Sequence, residues 1–170
     1  MKTSTRFVKA ALLNTCVALV LCTLCEWLAL YVFKTVPAEA VAANGGWIWP
    51  MFGINFVFSW VIATILGMIP AIEQMGLNFA MKRSNPSEGA KFGLLVNIPI
   101  NTVYSLILGF AVGWLDACIL NGAPFIASVF GFFQNIIPVW IACFIVTFLL
   151  NQPITNLARK ICNDPEPQMH

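Results

Sequence analysis

Two acids set inside long apolar stretches, Glu26 and Glu73, and four amides, Asn14, Asn101, Gln134 and Asn135, are the residues of this chain best suited to chemistry. A carboxylate within a membrane-spanning segment is by default a candidate for handling protons or ions. A charge at the bilayer centre costs roughly 2.5–3.5 kcal/mol on the gentlest scales. Depth limits that role here. At about 1.5 Å per residue, Glu26 stands roughly 27 Å along its stretch from Val8, and Glu73 roughly 30 Å along its own from Gly53. Both positions fall near a membrane boundary, where water can solvate them. Glu26 then reads either as a functional acid or as an interfacial anchor beside Trp27. Glu73, next to Gln74, reads either as a functional acid or as a water-facing one near Lys82 and Arg83. The middle of the spans carries only mild groups, Thr23, Thr64, Tyr104, Ser105 and Thr147.

The amides say more as a set. Asn14-Thr15 and Asn101-Thr102 each stand one to two turns inside the end of a span, so the two asparagines are expected either to meet across a central seam or to line a vestibule. Gln134 and Asn135 precede Pro138, and a helix opened by proline exposes carbonyls that can bind a polar solute. Gly109 and Gly113 form Gly-x-x-x-Gly, a spacing that puts both on one helix face and admits a close neighbour within the bundle or between subunits. Enzyme chemistry finds no foothold. The single histidine is His170, so no histidine-based triad or zinc motif can form, and neither a phosphate-binding glycine loop nor carboxylates at catalytic spacing are present. The sequence predicts no enzyme, no cofactor and no metal.

The elements that position these residues are read from composition. The chain has 170 residues, of which 59% are hydrophobic and 9% charged, far below the roughly 25% charged residues of soluble domains. The bilayer must therefore solvate most of the surface. Four apolar stretches, from about residues 8–33, 53–81, 92–115 and 127–150, are each long enough to span, since crossing takes about 20 residues. Gly67 and Pro70 interrupt the second, where a kink is expected. Pro138 is expected to kink the fourth, and Asn151-Gln152-Pro153 to end it. The tail after Ile154 is expected to be short and partly amphipathic, with a polar, disordered end. Residues 36–50 and 116–124 form the predicted outer loops, and the first span is too long for the usual apolar core of a cleaved signal peptide.

Eight of the nine basic residues lie before, midway between or after the four stretches, and only Lys34 lies elsewhere. That bias predicts both termini in the cytoplasm. No basic run is long enough to suggest nucleic-acid binding. Four of the six cysteines (Cys16, Cys22, Cys25 and Cys143) lie within apolar stretches, where cysteine packs as a small apolar residue.

The halves of the chain look alike. Asn14-Thr15, eleven residues and Trp27 match Asn101-Thr102, eleven residues and Trp114. Trp60-Val61-Ile62-Ala63 corresponds to Trp140-Ile141-Ala142-Cys143, and Asn78-Phe79-Ala80-Met81-Lys82 to Asn156-Leu157-Ala158-Arg159-Lys160. The fold class expected is all-α: one polytopic membrane domain over residues 1–170, with four transmembrane helices as two parallel two-helix repeats, residues 6–83 and 91–160. Parallel repeats are related by an axis along the membrane normal.

The run Pro138-Val139-Trp140 through Ala142, with Pro153 and Arg159-Lys160, resembles the closing helix of a family of small bacterial inner-membrane proteins of unknown function built from a two-helix repeat. The similarity covers residues 91–160 and, more faintly, 6–83, although the family's usual run of prolines in the final helix is missing here. It implies a bacterial inner-membrane location and supplies no activity. Two functions stay open. One is a small-solute carrier or channel with a pathway between the repeats. The other is an accessory or scaffold protein binding another membrane protein through its glycine face. The partners expected are the lipid bilayer, a second copy in a homodimer or another membrane protein, and, under the carrier reading, a small-molecule substrate.

Overall fold

A computed structural model describes residues 1–164, and these are helical throughout, with no strand. Its helices are α1 (Thr3–Trp27), α2 (Ala38–Ala43), α3 (Trp49–Gly67), α4 (Pro70–Met81), α5 (Ala90–Trp114) and α6 (Phe125–Ile161). A π-helical turn, Leu28–Val32, prolongs α1, and another, Leu115–Leu120, prolongs α5. Four of the helical runs are long and apolar enough to cross a membrane: Thr3–Val32, Trp49–Gly67, Ala90–Leu120 and Phe125–Ile161. Their outward surfaces fit a hydrocarbon surround. On α6, Phe130, Phe133, Ile137, Ile141, Ile145 and Leu149 recur every three or four residues and are all exposed, a stripe that water would not tolerate.

Antiparallel neighbours close the bundle. The helix α1 packs against α3 and α6, while α5 packs against α6, α4 and α3. One end, the basic end, carries the start of α1, the end of α6 and the linker between α4 and α5. The far end carries α2, Trp47, Trp49 and the turn between α5 and α6. At the basic end the termini are tied together. The Lys2 backbone N–H and the Thr5 hydroxyl both donate to Asp164 Oδ2 at 2.8 Å, and Lys2 Nζ donates to the Asn163 carbonyl. In the 3-10 turn Pro86–Glu88 that precedes α5, Asn85 and Glu88 form a capping box, and Lys91 of α5 pairs with Glu88 at 2.6 Å. With the Lys91 hydrogen bond as the largest cause, the Glu88 carboxyl is held down at about 2.

Three predicted boundaries are corrected. Span two breaks outright instead of kinking. Ile69 is extended (ψ 107°), as the residue before a proline prefers, and Pro70 opens a separate helix at its first position, where its missing N–H costs nothing. Asp116 lies in the π-helical turn ending span three and not in a loop, because the helix runs on to Leu120. Span four does not end at Asn151-Gln152-Pro153. The helix α6 continues through Pro138 and Pro153 to Ile161, with buried Ile154 and Ala158 holding its last turns in the bundle and the Thr155 hydroxyl donating to the Asn151 carbonyl at 2.6 Å. The expected disordered end and His170 lie outside the described residues.

Candidate functional site

Helices α1, α4, α5 and α6 contribute stripes at helical spacing to a cleft that opens at the basic end. From α1 come Arg6, Lys9, Ala10, Asn14, Val17 and Leu21. From α4 come Ile72, Glu73 and Leu77, from α5 Asn97, Asn101, Tyr104 and Leu108, and from α6 Cys143, Thr147 and Asn151. The cleft holds about 380 Å³, within the roughly 300–1,000 Å³ typical of small-molecule sites. Its apex meets the apolar core, where Val17, Leu21, Cys22, Ala63, Leu108, Val112, Val139 and Cys143 pack together. That core separates the cleft from the far end.

Inside the cleft the polar groups are ordered by one another. Asn101 donates to the Trp140 carbonyl at 2.9 Å, and Asn97 donates to Thr147 Oγ1 at 2.8 Å and to the Phe144 carbonyl at 3.2 Å. The Asn14 amide and the Tyr104 hydroxyl both stand against Gly67. Gly67 gives them room: a Cβ there would meet Ala10 Cβ at 2.8 Å and the Tyr104 hydroxyl at 3.2 Å. Ser105 Oγ is buried in the wall with no partner. At the mouth, Arg6 pairs with Glu73 at 3.6 Å. Glu73 therefore faces the cleft and answers a cation from α1, not the Lys82 and Arg83 rim that its sequence position suggests.

A second, much smaller cavity of about 30 Å³ lies at the far end, room for roughly one water. Glu26 lines it and accepts the Ile48 backbone N–H at 2.8 Å, which straps the segment after α2 onto α1. Asp116 faces the same space and accepts from Asn55 Nδ2 at 2.7 Å. Buried Asn55 Oδ1 has no partner.

Of the six residues marked as pathway candidates, Asn14, Asn101 and Glu73 share the cleft, and Glu26 lines the separate far cavity. Gln134 is exposed on α6 and lines neither. Asn135 donates to the Gly131 carbonyl of its own helix at 3.0 Å, so it too stands apart from the cleft. The glycine pair packs within the chain. A Cβ at Gly109 would lie 3.4 Å from the Phe132 ring, and one at Gly113 would lie 3.7 Å from the Ser128 carbonyl, so α6 occupies that face. Sequence reasoning missed Lys9 and Arg6 as cleft residues because their charges were already used to explain topology. It also missed Asn97, although Asn97, Asn101 and Ser105 recur every four residues and so mark one polar face of α5. Asn55 and Asp116 carried no such signal, since a π-helical turn changes which side chains converge.

No protein-family model, curated protein or solved structure matches the chain, and nothing among them bears on the two-helix-repeat resemblance.

Proposed function

We propose that this protein is a small-solute carrier of the bacterial inner membrane, built from two parallel helix-pair repeats, with its solute cleft open to the cytoplasm at the basic end. The observation that carries the reading is the placement of Asn14 and Asn101. Both are about 97–98% buried from solvent overall, at 3% and 2% exposed, yet both side chains border the same cleft at matched positions of the two halves. Matched hydrogen bonds support the duplication. Trp60 Nε1 donates to Thr15 Oγ1 at 3.0 Å, as Trp140 Nε1 does to Thr102 Oγ1 at 3.0 Å, and each threonine donates to the carbonyl four residues earlier at 2.8 Å. The charge bias supports the orientation. A cleft closed at one end by packed side chains favours a carrier that changes shape over a standing channel.

The test places single cysteines at positions 14 and 101 in a protein freed of its six native cysteines. A water-soluble maleimide supplied from the cytoplasmic side should label both, while a cysteine at core position Val139 should stay unlabelled. If positions 14 and 101 react no faster than position 139, the cleft is dry and the carrier reading fails.

A further inference from the structure

Resting on the carrier reading, we infer that the solute is an organic anion bearing one carboxylate on an apolar body, with the carboxylate held at Lys9 beside Arg6. Charge balance points there. The charged side chains bordering the cleft are Arg6, Lys9 and Glu73, and all lie toward its mouth. Glu73 is engaged with Arg6. Among the described residues the two ion pairs are Arg6–Glu73 and Lys91–Glu88, so Lys9 has no carboxylate within 4 Å. Arg6 adds a buried Nε that also lacks a partner. A cation partly withdrawn from water that shares the single Glu73 counter-charge with Arg6 is costly, and a bound anion offsets that cost.

The depth of the cleft selects the rest of the molecule. From Lys9 to Leu21 the cleft follows α1 for about 18 Å at 1.5 Å per residue. Beyond Lys9 its walls carry no charge and are built largely from Leu13, Val17, Val96, Ile100 and Leu108. An inorganic anion would leave those walls unfilled, a second carboxylate placed deeper would meet no cation, and a cationic solute would meet Lys9. An apolar body fills those walls.

The full-length protein in lipid nanodiscs tests this with radiolabelled octanoate, with empty nanodiscs giving the partitioning background. Saturable octanoate binding is expected, displaced by unlabelled octanoate but not by octanol, octylammonium or acetate at the same concentration. Lys9→Gln should weaken binding about tenfold or more, the scale of one charge-assisted hydrogen bond, and Lys9→Arg should retain it. Glu73→Gln, which releases Arg6, should tighten binding and so guards against a variant that merely fails to fold. Displacement by octanol as effective as by octanoate, or octanoate affinity unchanged in Lys9→Gln, would overturn the anion assignment. Absence of octanoate binding would overturn it as well. In each case labelling of cysteines at positions 14 and 101 decides separately whether the cleft itself survives.

Discussion

Thr15 and Thr102 show how a single hydroxyl serves two helices in an apolar bundle. Each donates its proton to a carbonyl of its own helix and accepts from the indole N–H of a tryptophan on the neighbouring one. The indole therefore keeps a hydrogen bond where no water competes. Trp140→Phe keeps the ring's stacking on Phe144, 5.0 Å between centroids, and removes only the N–H. It should lower stability by about 0.5–1.5 kcal/mol, read as an earlier unfolding midpoint in detergent. Trp60→Phe should cost a similar amount, although Trp60 Nε1 has the Ala11 carbonyl as a second acceptor at 3.1 Å. At this scale the sequence is informative where a polar side chain interrupts an apolar run, as Asn14 and Asn101 do. It is misleading where a residue serves two ends. Lys9 sits in a basic cluster that topology alone explains, and only the packing of α1 against α3 and α6, which leaves a space toward α4 and α5, turns it toward a cleft.

At the scale of elements, proline and glycine decide where the spans bend and where they touch. Gly67 and Pro70 are visible in the sequence as an interruption, but the full break between α3 and α4 depends on what α4 gains by turning away. It gains close contact with α5. A Cβ at Gly76 would stand 2.6 Å from the Val96 carbonyl, a distance side chains do not reach. Gly76→Ala should therefore destabilise the protein by about 1–3 kcal/mol as α4 is pushed off α5. Gly131→Ala is the contrast, because nothing lies within 4 Å of a Cβ there, and it should be neutral or stabilise by up to about 1 kcal/mol through helix propensity. Thermal unfolding of the two variants side by side checks both. Pro153 shows the opposite failure of local signals. Asn151-Gln152-Pro153 has the composition of a helix end, yet burial of Ile154 and Ala158 against the bundle outweighs the lost backbone donor, and such tertiary gains are not written in the local sequence.

For the whole molecule, four spanning lengths and a shared end for both termini follow from hydropathy and charge, because length and composition are all they require. Which helices adjoin, and that the space among them is a cleft at the basic end, depend on side-chain volumes meeting across the bundle. The tie between the termini belongs to this scale. The Asp164 carboxyl is held below its ordinary value, chiefly by the Lys2 backbone N–H and then by the Thr5 hydroxyl. A carboxyl depressed in the folded state stabilises the tie above its ordinary value of 3.8, and that contribution is lost as pH falls through the lower, folded value. Acidification from neutral pH to well below about 3.8 should thus lower the protection of the Lys2 amide, its exchange rate taken relative to an unstructured peptide at the same pH. In Asp164→Asn that pH response should vanish, and an unchanged acid response in the variant would rule the carboxyl out.

The same tie has a bearing on biosynthesis. Lys2 and Asp164 stand 162 positions apart, so Lys2 leaves the ribosome well before Asp164, with all four apolar helices made in between. Residues 2 and 164 can meet only after every intervening span has been threaded and turned back. Formation of this contact therefore marks insertion of all four spans between its partners, and a molecule stalled with two or three of them in place would lack it.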